Sequence, residues 1–426
     1  MLKRIALLLF ALLLPSLAAA QQFPLTMPSQ SVYGRLGIPG TNGPGQAIPF
    51  ANLLANLNGV AWGGKARMIP HVGQTTSPSD CYTLTDPYGN AITCTTSTTT
   101  QGLQEFLNAA AANGWPAEVD CQGTLFPSHT EPVYINATTS VTVPVAQDWS
   151  FHSYGCNLNS VVTTVPALIV DSEGASVFDW DGKIVYNVTA PNGIVTINPS
   201  CVVYINPTTN TADGFPGLYA GYFRVKSPVA NPQGGATETG VVCINTSTGS
   251  TIQQRLDFTE VNANNAAYYG VFVFGASSTT GLQQTEININ QIHGAEQAGV
   301  DEGYSATHQA LYNSNQWKIN NIENAGLSSR GVDTWGSYDN FQIGAINNVQ
   351  GGLQYGLVVE SAATSNHFDY GQITVENGGT AILDTGTCTW LNGPQGSKLP
   401  MWSVSGSCPN VAASLLPTAT LLGALQ

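Results

Sequence analysis

From residue 256 to residue 384 apolar and polar positions alternate in short runs. Each run is followed by an Asn-rich turn and then by a Gly with an apolar neighbour. One such unit spans 285–294 and leads to Gly299-Val300-Asp301; the next spans 316–326 and leads to Gly331-Val332-Asp333. Residues 340–349 precede Gly356-Leu357-Val358, and 367–375 precede Gly379-Thr380-Ala381. A period of two marks strands, and no helical face accompanies it. The Gly anchors at 270, 299, 331, 356 and 379 are about 23 to 32 residues apart, the length of one turn of a β-solenoid. A single coil cannot bury its apolar side alone, so neighbouring coils must stack. The pattern therefore predicts an all-β rod with its function on the outer face.

Only 101–113 reads as a helix. Leu103, Phe106, Leu107, Ala110 and Ala111 form the apolar stripe, Thr100 stands at the start, and Gly114 with Pro116 ends it. Strand-like runs follow at 116–125, 133–135, 139–143 and 149–155, and 175–186 reads as another coil. Pro and Gly clusters at 191–193, 206–217 and 227–235 predict longer loops. The chain thus divides into a signal segment (1–20), an extended leader (21–60), a coil domain (61–385) and a C-terminal cap or subunit contact (386–426).

The first twenty residues have the charged start (Lys3, Arg4), short apolar core and Ala18-Ala19-Ala20 end of a secretion signal. No stretch is long and apolar enough to predict a membrane span. The formal charge is −14, and −16 once Lys3 and Arg4 are removed (−14 − 2), leaving ten basic residues (12 − 2). Such a chain lacks the Lys/Arg stripe that nucleic acid requires. It also makes acidic polysaccharides awkward ligands unless a cation bridges them. Eight cysteines in an exported chain permit disulfides. The preferred pairs are Cys81–Cys94 and Cys388–Cys408, each pinning an irregular end segment, while connectivity itself is not readable from sequence.

Two resemblances rest on these residues. The string from Ser31-Val32 through Gly34-Arg35 to Gln46-Ala47-Ile48-Pro49-Phe50 resembles a short module that precedes β-helical domains in phage and prophage tail proteins. It covers about twenty residues and brings no chemistry with it; a linker or cap strand and a docking role are equally open. The amphipathic helix leading into strands resembles the start of pectin-lyase-like right-handed parallel β-helices, where such a helix plugs the open end. Together these imply a secreted right-handed parallel β-helix with an N-terminal capping helix, similar to phage tail spikes. They also imply polysaccharide as the partner and a homotrimer as the assembly.

Alternation sends Val300 and Val332 inward and Asp301 and Asp333 outward. If their coils are in register, the two carboxylates lie one strand spacing apart, about 4.8 Å. Such a pair places an acid beside a base, as glycosidases require. Trp335, Tyr304 and Tyr338 could stack on sugar rings, and Arg330, Glu360, Asp339 and His308 are further polar candidates. Arg330 is better read as an ion-pair partner than as a substrate clamp. Glu302 should point inward, or else end its strand. The recurring Asn288, Asn290, Asn320, Asn321, Asn347 and Asn348 read as turn formers or a stacked ladder. Trp317 and Phe341 read as stacked core residues.

The paired Asp-Asp, Gly-His-Gly and Arg-Ile-Lys motifs of polygalacturonases do not occur, so that mechanism has no support. Arg224, Arg255 and Arg330 are the arginines a lyase could use, but none lies in a recognisable motif. No cofactor is called for; calcium on an acidic face is compatible but non-specific. The sequence leaves two readings: polysaccharide recognition with cleavage at Asp301 and Asp333, by hydrolysis or lysis, or a non-enzymatic rod of the tail-fibre or adhesin kind.

Overall fold

A computed structural model describes residues 31–34, 46–49, 64–69, 81–95, 99–121, 134–144, 149–161, 165–170, 177–188, 200–206, 222–232, 238–247, 251–252, 255–275, 281–304, 313–324, 330–348, 355–375, 379–393 and 402–405. The chain divides into two units, Met1–Gly64 with Pro87–Asn90, and Lys65–Asp86 with Ala91–Gln426. In the first unit Ser31–Gly34 pairs antiparallel with Gln46–Pro49, the two ends of the leader string. The signal segment lies outside the described residues. No described helix is long and apolar enough to cross a membrane.

The second unit is predominantly β, built on one long and mostly parallel sheet. Its register explains why these residues form strands. Ala66, Ala117, Phe151, Phe178, Phe223, Leu256, Ile287, Trp317, Phe341, Phe368 and Leu391 pair in succession from strand to strand. All are buried. Each coil thus contributes one apolar residue to a continuous column, the solenoid-like arrangement in which stacking supplies the core. Trp317 and Phe341 stack with ring centroids 5.7 Å apart, and Phe341 stacks on Phe368 at 4.7 Å. On a second ladder Val271, Val300, Val332, Leu357 and Ile382 are paired in the same way.

The helix spans Leu103–Asn113, two residues shorter at its start than the periodicity suggests. Gly102 is the N-cap, in the left-handed region, and no side chain caps it; the Thr100 hydroxyl instead accepts the Gln104 amide at 3.3 Å. Gly114 closes the helix with φ 63°. The five predicted stripe residues are buried in the core with Ala66 and Met68.

Strand lengths depart from the short runs expected. Arg255–Phe274 and Glu286–Tyr304 each run as one hydrogen-bonded strand round a corner. Asn264 and Asn265 (φ 48° and 55°) and Gly294 (φ 73°) take the bend in left-handed conformations, where the pairing shifts register between Asn262 and Ala267. The loop predicted at 227–235 is strand as far as Pro232, paired with Lys183–Val188. Parallel pairing also continues past residue 385, through Thr389–Asn392 on His367–Asp369, and Trp402–Ser405 then adds antiparallel.

The Gly anchors have a steric cause. A Cβ on Gly331 would press into the Gly356 carbonyl oxygen of the next coil and into the Ile346 side chain. A Cβ on Gly356 would lie 2.6 Å from the Ala381 carbonyl oxygen and press into Ile373. The position equivalent to Gly356 is Ala381, not Gly379; no later coil follows it on this ladder among the described residues, so a methyl group is tolerated. Gly331→Val is expected to destabilise the protein by about 3 kcal/mol, read as a lower urea midpoint. A loss below about 1 kcal/mol would contradict this packing.

Cys81–Cys94 is bonded as expected, and two pairs not readable from the sequence, Cys121–Cys156 and Cys201–Cys243, join neighbouring coils. Cys388 is also disulfide-bonded, while Cys408 lies outside the described residues. These bonds are compatible with an oxidising compartment.

Candidate functional site

Asp301 and Asp333 are register partners on adjacent coils, so their backbones lie about 4.8 Å apart. Both point away from Val300 and Val332 as alternation requires, but they do not face open solvent: Asp301 is 4% exposed and Asp333 2%. The reason is visible in their column. Tyr204, Cys243, Phe272, Asp301, Asp333 and Val358 follow one another in register and are all buried. This side of the ladder is itself covered, around a second apolar cluster that includes Cys201, Tyr204, Tyr269, Phe272 and Phe274.

Arg330 forms an ion pair with Asp333 and lies 3.7 Å from Glu360, the ion-pair role read from the sequence. Among the described residues Asp301 Oδ1 and Asp333 Oδ1 are buried without a hydrogen-bond partner. Burial, reinforced by the Asp333 charge, holds the Asp301 carboxyl well above its usual range. Burial pushes Asp333 up to about 6, with Arg330 pulling it down and Glu360 pushing it up.

Of the predicted sugar-stacking residues, Tyr338 is 64% exposed and Trp335 half-buried. Tyr304 ends its strand; His308 lies outside the described residues. No group of three or more His, Cys, Asp or Glu able to hold a metal occurs among the described residues.

Glu302 points inward and is fully buried. Its Oε1 accepts hydrogen bonds from Trp317 Nε1 (3.1 Å) and Asn315 Nδ2 (3.3 Å), and its Oε2 from Thr334 Oγ1 (2.8 Å). Burial pushes Glu302 up to about 7 despite these donors. Asp339, 1% exposed, accepts the Asn315 amide at 2.6 Å. It is held well above its usual range by burial and then by the Glu302 charge.

A second arrangement lies on the outward side of the aromatic column. Arg224, Asp257, Asn288, Lys318, Gln342, Asp369 and Asn392 occupy one register position on successive coils. They line a groove of about 1000 Å³. Six strand steps span about 29 Å. Most of the charges are matched: Arg224 pairs with Asp179 and Asp181, Arg255 with Asp257, and Lys318 with Glu286 at 2.7 Å, while Asp369 accepts from Asn392 (2.7 Å) and lies 3.5 Å from His367. Amides follow the same stacking, Asn320 donating to Asn290 (3.1 Å) and Asn347 to Asn321 (3.2 Å), so the ladder form of the Asn repeat is the one adopted at these positions. In the next outward column Tyr222 and Trp390 stand near the two ends of the groove; the Arg255 guanidinium covers the Tyr222 ring at 5.6 Å, and Trp390 is 39% exposed. Of the groove column only Arg224, as an arginine open to a lyase, and Asn288, as one of the recurring Asn residues, were singled out from the sequence; the column itself was not. Its signal was present, because each member lies between two inward residues such as Ile287 and Ile289, Trp317 and Ile319, or Phe341 and Ile343.

Compared with known proteins, the chain matches no protein-family model, no curated protein and no solved structure.

Proposed function

We propose that this protein is an exported, right-handed parallel β-helix that binds a neutral polysaccharide along the groove between Arg224 and Asn392. The observation that carries this is the unbroken outward column of hydrogen-bonding side chains, one per coil. The right-handed path follows from the near-universal hand of parallel crossovers. An extended glycan presents hydroxyl donors and acceptors at each sugar, and a column of amides and carboxylates repeating every ~4.8 Å can answer them sugar by sugar. Because Arg224, Arg255, Asp257 and Lys318 already have ion-pair partners, a neutral ligand need not strip these ions of them. Pockets for apolar ligands have the opposite character, apolar walls with few polar groups.

Cleavage at Asp301 and Asp333 is a separate proposal. A raised proton affinity suits a general acid, but a sugar reaches carboxyls this buried only after their cover moves aside.

Gel retardation in a panel of neutral and acidic polysaccharides tests the binding. Slowed migration in at least one neutral polysaccharide, stronger than in any acidic one and insensitive to salt, is the expected result. No retardation by any neutral polysaccharide would overturn the proposal and favour a structural protein without a glycan ligand.

A further inference from the structure

At one corner of the coils Thr285, Asn315, Asp339 and Asn366 directly precede strands that pair in register, and Thr389, the first residue of the next strand, holds the same position. All five are almost completely buried. The middle three form a ladder in which each side-chain oxygen accepts a backbone amide from the coil before. Asn315 Oδ1 accepts from Thr285 (3.2 Å), Asp339 Oδ1 from Asn315 (2.6 Å), and Asn366 Oδ1 from Asp339 (2.9 Å). The amide nitrogen of each Asn donates in turn: Asn315 Nδ2 to the Leu282 carbonyl (3.1 Å) and Asn366 Nδ2 to the Gly336 carbonyl (2.8 Å).

Asp339 breaks the series. Its Oδ2 stands where the two Asn residues carry a donor, and it is buried without a partner among the described residues. An ionised carboxylate has nothing to donate; a protonated one does. Glu302 Oε2 faces the same spot, 3.0 Å from where a Cβ on Gly336 would lie, and a Cβ there would also meet Asp339 Oδ2. On the opposite side of the Glu302 strand lie Asp301 and Asp333. The charged groups facing Asp301 and Asp333 are Arg330 and Glu360. Glu302 and Asp339 are otherwise surrounded by the neutral Asn315, Trp317 and Thr334.

We propose that Asp339 and Glu302 form a proton-operated clasp that holds successive coils in register when protonated and loosens them when ionised. The strands that start from Asn315, Asp339 and Asn366 carry Lys318, Gln342 and Asp369 into the groove. The clasp thereby sets how well the groove residues align, and this second consequence rests on the glycan reading above.

The direction of the pH effect follows from linkage. An acid whose proton affinity is higher in the folded than in the unfolded chain lowers stability as pH rises from the unfolded value to the folded one. With Glu302 at about 7 and unfolded carboxyls near ~4, the loss falls between about pH 4 and pH 7. The acids with lowered affinity, Glu260 and Glu286, act the other way, below the ordinary Glu value. Between pH 5 and pH 8 Asp301 and Asp333, also raised by burial, lose stability in the same direction, so the difference between the wild type and a clasp variant, not the wild-type slope alone, reads the clasp.

The test compares thermal midpoints of the wild type and Asp339→Asn across that range. Asn fits the ladder and supplies the missing donor at every pH. The wild-type midpoint is expected to rise by several degrees from pH 8 to pH 5. Asp339→Asn is expected to be more stable than the wild type at pH 8 and to show a flatter profile. A variant less stable at pH 8, or one with the wild-type slope, would overturn the clasp. Glu302→Gln provides a second arm, with slope loss again expected. Retardation by a neutral polysaccharide, measured at pH 5 and pH 8, is expected to weaken at the higher pH in the wild type and not in Asp339→Asn. If the thermal profiles behave as expected and no polysaccharide is bound at either pH, the clasp stands and the glycan reading fails.

Discussion

Replacing Phe341 with alanine is expected to lower stability by about 4 kcal/mol. Phe341 is fully buried, and its ring stacks on Trp317 on one side and Phe368 on the other, nearly parallel to both (6° and 10°). Truncation removes both contacts and leaves a void between coils. The backbones above and below are held at strand spacing by hydrogen bonds, so the gap cannot close, and incomplete collapse is what makes large-to-small core changes severe. Urea unfolding should show a lower midpoint with little change in slope. Phe341→Leu, which refills most of the volume, should lose less than half as much. A loss below about 1 kcal/mol for the alanine variant would mean that the three aromatics are not stacked in register.

The second large effect concerns Cys201 and Cys243. Their bond joins neighbouring coils and closes a loop with a sequence separation of 42; chain entropy alone assigns such a link about 4 kcal/mol. Both residues are fully buried against Tyr204, Tyr269 and Phe272, so alanine is the replacement that adds no buried polar group. The Cys201→Ala/Cys243→Ala variant should unfold at a markedly lower temperature than the wild type. Cys81–Cys94, with a separation of 13, should contribute about 3 kcal/mol. If losing the shorter link is the more damaging change, local strain or residual structure rather than loop entropy governs these bonds.

What the sequence revealed was what repeats locally. Alternation placed Val300, Val332, Trp317 and Phe341 in the core, and helical spacing placed Leu103, Phe106 and Leu107 there, because each depends on a period that the chain itself carries. Alternation also tells which side of a strand Asp301 occupies. It does not tell whether that side is covered. The clue lay in the same register column, where Tyr204, Cys243 and Phe272 are too apolar for a bare outer face. The Glu302–Asp339 pair was less accessible, since it requires Asn315 and Asp339 to share a coil corner despite unequal coil lengths. Unequal lengths also made Gly379 look like an anchor when Ala381 holds that position. The groove was hidden differently: its residues share no identity or spacing motif, and only alignment of the coils brings Asn288, Lys318, Gln342 and Asp369 into one line.

The proposed ligand site is the groove and not the buried acid pair. The most direct test measures the affinity of two variants for the same neutral polysaccharide. Asn320→Ala/Gln342→Ala removes two groove amides without touching the core; at about 1 kcal/mol for each hydrogen bond, affinity should fall about 30-fold. Asp301→Asn/Asp333→Asn leaves the groove intact and should bind within about twofold of the wild type, a difference under ~0.5 kcal/mol. The reverse pattern, with binding kept by the groove variant and lost by the acid variant, would contradict the account and return the site to Asp301 and Asp333.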